Sequence, residues 1–260
     1  MPALPRAKKR FGQHFLTDRH YVERIVQAIA PSRDDTMVEI GPGTGILTRE
    51  LLKHVAHLHV IEIDRDLAAG LRREFPRDAL TVHQADALEF DFGSLPAPLR
   101  VVGNLPYNVS TPILFRVAAL ADRLRDAVFM LQKEVVERMV AQPSTPEYGR
   151  LSVMLQYRFE MVLALRVPPG AFTPPPKVDS AVVRMVPLGA GRLRAKDEAF
   201  FERIVAAAFS QRRKMLRGAL RGMIQPLAFE AAGLDASRRG ETLSVAEFVA
   251  LADSALKRAG

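Results

Sequence analysis

The chain has 260 residues, of which 48% are hydrophobic and 25% are charged, so it can bury a full core as one large domain or as one domain with a small appendage. Its formal net charge of +8 at pH 7 favours an anionic partner, either a nucleic acid or an anionic membrane surface. The lack of cysteine excludes disulfides and thiolate metal sites, and the six histidines lack a zinc-binding spacing, so we expect no metal. No signal peptide or membrane-spanning apolar run is visible, so we expect a cytoplasmic protein that does not bind membranes.

Short β-branched runs alternate with helix-like stretches in the first part of the chain, which is typical of βαβ units around a parallel sheet. The predicted strands cover residues 37–40, 58–63, 80–84, 100–103, 127–131, 160–167 and 181–187. The predicted helices cover residues 47–55, 65–75, 111–120 and 133–141, and a proline-rich loop covers residues 168–176. We therefore expect a mostly parallel sheet of about seven strands.

The character of the sequence changes after Pro187. Residues 189–194 form a basic linker of small residues, and the rest of the chain has helical periodicity without strand-like runs. We predict an α/β domain at residues 1–188 and a small helical domain at residues 189–260.

A glycine-rich loop, E-I-G-P-G-T-G at residues 39–45, follows the first predicted strand and precedes a helix. Glycines let the backbone pass close to a ligand, and the start of the helix offers unpaired amides. A dinucleotide fingerprint would require a third glycine where Ile46 stands, so a nicotinamide oxidoreductase is disfavoured. The spacing resembles the first motif of class I S-adenosylmethionine methyltransferases, and the alternative is a turn that binds no ligand.

Acidic residues follow the next two predicted strands. Glu62 could accept hydrogen bonds from both hydroxyls of a ribose, and Asp86 could accept one from an adenine amine. A single acid at a strand end is usually a helix cap or a solvated turn. Acids after successive strands, Glu39 included, disfavour that interpretation.

The segment G-N-L-P-Y at residues 103–107 follows the fourth predicted strand, and its N-L-P-Y is similar to the fourth motif of adenine amino-methyltransferases. An exocyclic adenine amine is a weak nucleophile because its lone pair is delocalised into the ring. Acceptors at the Asn104 side-chain oxygen and the Leu105 carbonyl would favour a tetrahedral nitrogen, while Pro106 would fix the direction of that carbonyl. Tyr107 would stack on the base. The alternative is an Asn-x-Pro turn with a buried tyrosine.

Four longer motifs resemble the KsgA/RsmA family of small-subunit ribosomal RNA adenine dimethyltransferases, and the resemblance extends over almost the whole chain. They are K-K-R-F-G-Q-H-F-L at residues 8–16, G-N-L-P-Y-N-V-S-T-P at 103–112, F-T-P-P-P-K-V-D-S at 172–180 and A-F-S-Q-R-R-K-M-L-R-G-A-L at 208–220. The first resembles the family's N-terminal cofactor motif, the third its target-base loop, and the last its basic C-terminal helix.

The resemblance implies an α/β, Rossmann-like class I methyltransferase fold with a seven-stranded, mostly parallel sheet and a small C-terminal helical domain. It also implies that S-adenosylmethionine is the cofactor and that two adjacent adenines in the 3′-terminal hairpin of small-subunit ribosomal RNA are dimethylated. That RNA would be the partner, within an assembling small ribosomal subunit, and the enzyme would be a monomer.

The same resemblance implies a set of cofactor contacts. They are Gln13, His14, Leu16, Gly41, Gly43, Glu62, Asp86 and Asn104. His14 stands where many relatives have Asn, and a histidine nitrogen can still make a polar contact.

The base must be turned out of its hairpin to reach the methyl group, and aromatic faces would hold it. Besides Asn104, Leu105, Pro106 and Tyr107, we assign Phe172 to the catalytic site, because its proline-rich loop indicates exposure near the cleft. Tyr107 and Phe172 would sandwich the base. The alternative is that Phe172 is an ordinary core residue.

A set of basic residues is predicted to contact RNA phosphates and so to set affinity rather than chemistry. They are Lys8, Lys9, Arg10, Arg212, Arg213, Lys214 and Arg217. The alternative is a solvated face of a helix.

Two rival functions remain at this point. One is a related methyltransferase that acts on large-subunit RNA and confers antibiotic resistance; the Leu105 variant of the motif, the V-D-S-A-V-V run and the A-F-x-Q-R-R-K segment disfavour it. The other is a non-catalytic assembly factor that binds immature small subunits, which the intact Gly41, Glu62, Asp86 and Asn104 disfavour.

Overall fold

A computed structural model describes residues 13–211 and 213–256. The predicted contacts of Lys8, Lys9, Arg10 and Arg212 lie outside these residues. The strands in the described residues are β1 (Phe15–Leu16), β2 (Thr36–Ile40), β3 (Leu58–Ile61), β4 (Leu80–His83), β5 (Leu99–Asn104), β6 (Leu124–Gln132), β7 (Phe159–Val167), β8 (Phe172–Thr173) and β9 (Ser180–Pro187).

Seven strands form one sheet in the order β4-β3-β2-β5-β6-β9-β7. The ladders from β4 through β6 are all parallel, whereas β9 runs antiparallel to β6. All seven predicted strands are therefore present, and the prediction of a mostly parallel α/β sheet is confirmed. The two-residue strands β1 and β8 form a separate antiparallel pair that was not predicted.

The helices in the described residues are α1 (Arg19–Ile29), α2 (Ile46–Leu51), α3 (Arg65–Glu74), α4 (Ser110–Ala119), α5 (Lys133–Val140), α6 (Arg150–Gln156), α7 (Glu198–Ser210), α8 (Leu216–Ala219), α9 (Pro226–Ala231) and α10 (Val245–Leu256). The helix after the glycine loop ends at Leu51, four residues earlier than predicted. None of these helices is long and apolar enough to cross a membrane.

The chain divides into two compact units. Among the described residues, one unit contains residues 13–136 and 160–187, and the other contains residues 137–159, 188–211 and 213–256. Residues 137–159, which include α6, therefore group with the C-terminal helices and not with the sheet, because most of their contacts lie within that unit. A separate RNA-binding role for the C-terminal part stays a prediction.

The basic segment at residues 208–220 is not one continuous helix, so the helix expected there is wrong. Helix α7 ends at Ser210 and α8 begins at Leu216. The backbone N–H groups of Leu216 and Arg217 donate to the carbonyls of Arg238 and Ala236, so they do not continue the hydrogen bonding of α7. Arg213, Lys214 and Arg217 are exposed, as phosphate contacts must be.

A buried arginine joins three elements of the sheet unit. Arg100 on β5 is 2% exposed and donates to both carboxylate oxygens of Asp126 on β6, at 2.7 and 2.8 Å. It also pairs with Asp35 at 2.6 Å and donates to the carbonyls of Ile29 and Ala30 at the end of α1. Two of these partners are carboxylates and two are backbone carbonyls. The charge and the N–H groups of the buried guanidinium are therefore compensated by acceptors.

Gly103 sets how closely β5 lies beside β2 at their carboxyl ends. A Cβ atom at this position would lie 2.3 Å from the Ile40 carbonyl oxygen, far inside van der Waals contact. The obstacle is backbone of a central strand, which cannot rotate away. Only glycine therefore lets β5 lie this close to β2, with the next residue, Asn104, beside the end of β2.

We expect Gly103→Ala to destabilise the protein by about 1–3 kcal/mol or more, because an added methyl group must push two paired strands apart. Thermal or denaturant unfolding would measure the loss. Gly70→Ala in α3 is the matched control, since its Cβ meets nothing within 4 Å and alanine favours helix. Equal stability of the two variants would contradict the proposed contact.

Candidate active site

A cavity opens at the carboxyl ends of the parallel strands, between the loops that follow β2, β3, β4 and β5. In an open parallel sheet this edge is where ligands bind. Its lining includes eleven of the predicted residues: Gln13, His14, Leu16, Gly41, Gly43, Glu62, Asp86, Asn104, Leu105, Pro106 and Tyr107. Segments that are distant in the sequence thus meet at one site.

The glycine loop turns sharply beside the cavity. Gly41, Gly43 and Gly45 have φ of +68°, +59° and +75°, a backbone region that favours glycine. At Gly45 a Cβ would also lie 2.9 Å from the Leu71 side chain. The loop therefore depends on these glycines for its path, and its backbone reaches the cavity without side chains in between.

Glu62, which follows β3, stabilises that loop from below. One carboxylate oxygen accepts the Gly43 N–H at 3.1 Å, and the other accepts the Asp64 N–H at 2.9 Å. Burial raises the pKa of Glu62, although these backbone N–H groups oppose the shift. The side chain is 4% exposed and lines the cavity as a hydrogen-bond acceptor.

A second acid, Glu39, lies beneath the loop at 1% exposure. Its carboxylate accepts the Thr48 hydroxyl at 2.6 Å. Burial raises the pKa of Glu39 to about 7; the Thr48 bond opposes this shift, and the nearby Glu62 carboxylate adds to it. Two carboxyl groups therefore share a poorly solvated place at the centre of the site.

The remaining predicted polar residues lie on the other walls. Gln13 donates to Asp64 at 3.3 Å, and Asp64 also caps α3 by accepting the Asp66 N–H at 3.0 Å. Asp86 accepts the Leu88 N–H through Oδ1 at 2.8 Å. No described residue donates to its second oxygen, Oδ2, which leaves an acceptor for a ligand.

Asn104 ends β5 at the cavity. Its side-chain Nδ2 donates to the His14 carbonyl at 3.2 Å. Because a carbonyl can only accept, the amide group must point its nitrogen toward His14. The amide oxygen, Oδ1, has no donor among the described residues. The Leu105 carbonyl likewise receives no hydrogen bond from them.

Tyr107 is held by two contacts. Its hydroxyl lies 2.7 Å from the Ser180 hydroxyl, and its ring stacks on the His14 imidazole with centroids 5.7 Å apart and planes 24° apart. The His14 Nδ1 lies 2.8 Å from the Pro174 carbonyl. In this structure the His14 side chain thus bonds with the proline-rich loop and the tyrosine.

The expected exposure of Phe172 is wrong. Its side chain is 3% exposed, belongs to the hydrophobic core and does not line the cavity. The cause is the pairing of β8 with β1, which sets Phe172 opposite Leu16. The aromatic ring that faces Tyr107 is His14.

Several cavity residues were missed. Ile63 lines the cavity although it is 48% exposed, so an apolar side chain is available there for the face of a ligand. Val128 and Met130 of β6 form part of the apolar floor. Only the position of Ile63, directly after Glu62, gave a signal in the sequence.

Comparison with known proteins identifies this arrangement. A family model described as ribosomal RNA adenine dimethylase matches residues 5–257. The chain belongs to that family.

Curated relatives named ribosomal RNA small subunit methyltransferase A match nearly the whole chain. The relative from Aromatoleum aromaticum is 59% identical over 246 residues, which cover 95% of this chain and 93% of the relative. The relative from Thiobacillus denitrificans is 57% identical over 244 residues, which cover 94% and 96%.

Solved structures of two methyltransferases resemble this chain in fold. The crystal structure of the 23S rRNA methyltransferase ErmE is 27% identical with a TM-score of 0.71, and the match covers 93% of this chain and 99% of that chain. A dimethyladenosine transferase from Plasmodium falciparum, 24% identical, shares the fold with a TM-score of 0.75 over 92% of this chain and 96% of its own.

Family membership confirms the predicted KsgA/RsmA resemblance, the class I methyltransferase fold and the use of S-adenosylmethionine by a ribosomal RNA adenine dimethyltransferase. The residues present suit that cofactor. Adenosine offers hydroxyl and amine donors, and the cavity offers carboxylate acceptors at Glu62 and Asp86 with apolar surface at Ile63.

The buried Glu39 predicts a pH dependence of stability in the ligand-free protein. Its pKa is raised from 4.5 to about 7, so between these values the folded state binds more protons than the unfolded state and stability falls as the pH rises. Glu39→Gln keeps an acceptor for Thr48 but cannot ionise. We expect the variant to gain in melting temperature over the wild type progressively from pH 4.5 to above pH 7.

Melting curves across this pH range would measure the difference, with the exposed Glu23→Gln as control. A constant difference between Glu39→Gln and the wild type at every pH would show that Glu39 does not titrate in this window.

Proposed function

We propose that this enzyme dimethylates the exocyclic amines of two adjacent adenines in the 3′-terminal hairpin of small-subunit ribosomal RNA. It would act in the cytoplasm as a monomer, with an assembling small subunit as its partner. The observation that carries the proposal is the position of Asn104, whose Oδ1 has no donor among the described residues and lies beside a cavity suited to the methyl donor. The 59% identity to a protein named for the small subunit supports the choice of RNA.

S-adenosylmethionine, when bound, supplies an electrophilic methyl group. Glu62 would accept hydrogen bonds from its ribose hydroxyls, and Asp86 would accept one from its adenine amine. The turn at Gly41 and Gly43 would let the backbone pass close to the cofactor. Gln13, His14, Leu16 and Asn104 would complete the contacts from the opposite wall.

The target base would be held by the loop after β5. Asn104 Oδ1 and the Leu105 carbonyl would each accept one N–H of the adenine amine, which withdraws the nitrogen lone pair from the ring. Pro106 would fix the direction of the Leu105 carbonyl, and Tyr107 would stack on the base. The two acceptors and the tyrosine ring would thus orient the amine for direct attack on the methyl group, without a covalent enzyme intermediate.

RNA binding would draw on the C-terminal residues 189–260. Arg213, Lys214 and Arg217 are exposed and offer phosphate contacts, and the predicted contacts of Lys8, Lys9, Arg10 and Arg212 would add to them. These charges would set affinity and orientation, because phosphate contacts carry no information on sequence.

The function is tested by incubating the protein with labelled methyl donor and undermethylated small subunits, and then mapping dimethyladenine. We expect label on two adjacent adenines of the 3′-terminal hairpin. Large subunits serve as the parallel substrate, and label appearing on them instead would favour the rival specificity for large-subunit RNA. A protein that binds small subunits without labelling them would be an assembly factor.

Asn104→Ala should lower kcat by about 10²–10³-fold or more, because it removes an acceptor needed in the transition state. Binding of S-adenosylmethionine, measured by calorimetry, should change little, since Glu62 and Asp86 remain. Asn104→Asp retains acceptors but loses the donor to His14 and should be intermediate. Normal methylation by Asn104→Ala would overturn the role given to this residue.

Arg213→Ala combined with Arg217→Ala should weaken RNA binding and reduce the slope of log K against log salt by about one for each phosphate that is no longer neutralised. Binding titrations between about 50 and 200 mM salt would measure the slope. The exposed Arg73→Ala removes one charge from α3 and should leave the slope almost unchanged. An unchanged slope in the double variant would remove these residues from the RNA-binding surface.

A further inference from the structure

We infer that Ser180 is a positioning residue for methyl transfer. Its hydroxyl lies 2.7 Å from the Tyr107 hydroxyl and holds the ring in one orientation toward the target base. This inference rests on the proposed stacking role of Tyr107.

Ser180 belongs to a rigid part of the sheet. It begins β9 and pairs with Gln132 at the end of β6, and the next backbone bond joins the Lys133 N–H to the Asp179 carbonyl at 2.9 Å. The residue is 0% exposed, so its hydroxyl must be satisfied by protein. Tyr107 is the partner found for that hydroxyl in the described part of the chain.

Tyr107, in contrast, lies in a loop. It follows Asn104 by three residues, beyond the last residue of β5, and is only half buried. A tyrosine ring in such a place is free to rotate about two side-chain torsions unless its ends are held. The bond to Ser180 fixes the distal end of the ring to a strand 73 residues away in the sequence.

A second contact determines which face of the ring is available. The His14 imidazole stacks on one face of Tyr107, and His14 is itself bonded to Pro174. With the hydroxyl held by Ser180 and one face covered by His14, a base that enters the cavity would stack on the opposite face of the ring without displacing His14. The ring is therefore in position before the base binds. A base that stacks on a fixed ring is oriented without further rearrangement, which raises the rate of reaction.

A double-mutant cycle separates this bond from other effects of the two residues. Ser180→Ala and Tyr107→Phe each delete the bond from one side, and Tyr107→Phe leaves the stacking ring intact. We expect each variant to lower kcat about 5- to 10-fold, which corresponds to the loss of one neutral hydrogen bond. The double variant should be no slower than either single variant, and all should bind S-adenosylmethionine like the wild type.

Quenching of 2-aminopurine at the target position of a hairpin RNA reports stacking on Tyr107 when the complex with Tyr107→Ala serves as the unstacked reference. We expect weaker quenching in Ser180→Ala, whose Tyr107 ring is unchanged. Full kcat in Ser180→Ala, or losses that multiply in the double variant, would overturn the inference.

Ser152→Ala is the control for a purely structural effect. Ser152 is also 0% exposed, and its hydroxyl is bonded to the Arg138 carbonyl and the Gly149 N–H, away from the cavity residues. It should lose stability but keep kcat; an equal fall in kcat would also overturn the inference. Normal methylation by Tyr107→Ala would instead refute the proposed stacking role, whereas an inactive Tyr107→Ala beside a fully active Ser180→Ala would refute only the role of Ser180.

Discussion

The site depends on the close approach of two backbones at the carboxyl ends of β2 and β5. The two strands pair in register as far as Glu39 and Val102, and where Gly103 next passes Ile40 there is no space for a side chain. Immediately beyond this contact, one strand continues into the glycine loop and the other into Asn104. The glycine loop and Asn104, to which we assign the methyl donor and the base, are thus held side by side.

Several hydrogen-bond acceptors line the site above this contact. They are the carboxyl groups of Glu39, Glu62 and Asp86 and the Asn104 Oδ1, and the adenosine part of S-adenosylmethionine offers hydroxyl and amine donors. Burial of the Glu39 and Glu62 carboxylates is costly even though each accepts hydrogen bonds from the protein, and their raised pKa values express that cost. A ligand that donates hydrogen bonds to these carboxylates would lower that cost.

The sequence allowed the seven strands and the glycine loop to be predicted because their signals are local, namely β-branched runs and glycine spacing. Contacts between distant segments left no such signal. Phe172 looked exposed because it belongs to a proline-rich loop, yet pairing of that loop with Leu16 buries it. Arg100 gave no sign of its partners, which lie 26 and 65 residues away, and the interruption of the basic segment depends on carbonyls of a later turn.

The bond from Asn104 to the His14 carbonyl has a consequence for base selectivity. It places the amide nitrogen against the protein backbone and leaves Oδ1 as the free acceptor of this side chain. In the proposed binding mode, a keto oxygen at carbon 6, as in guanine or hypoxanthine, would set lone pairs against both the Asn104 Oδ1 and the Leu105 carbonyl. Rejection of keto purines would thus follow from the direction of these two oxygens.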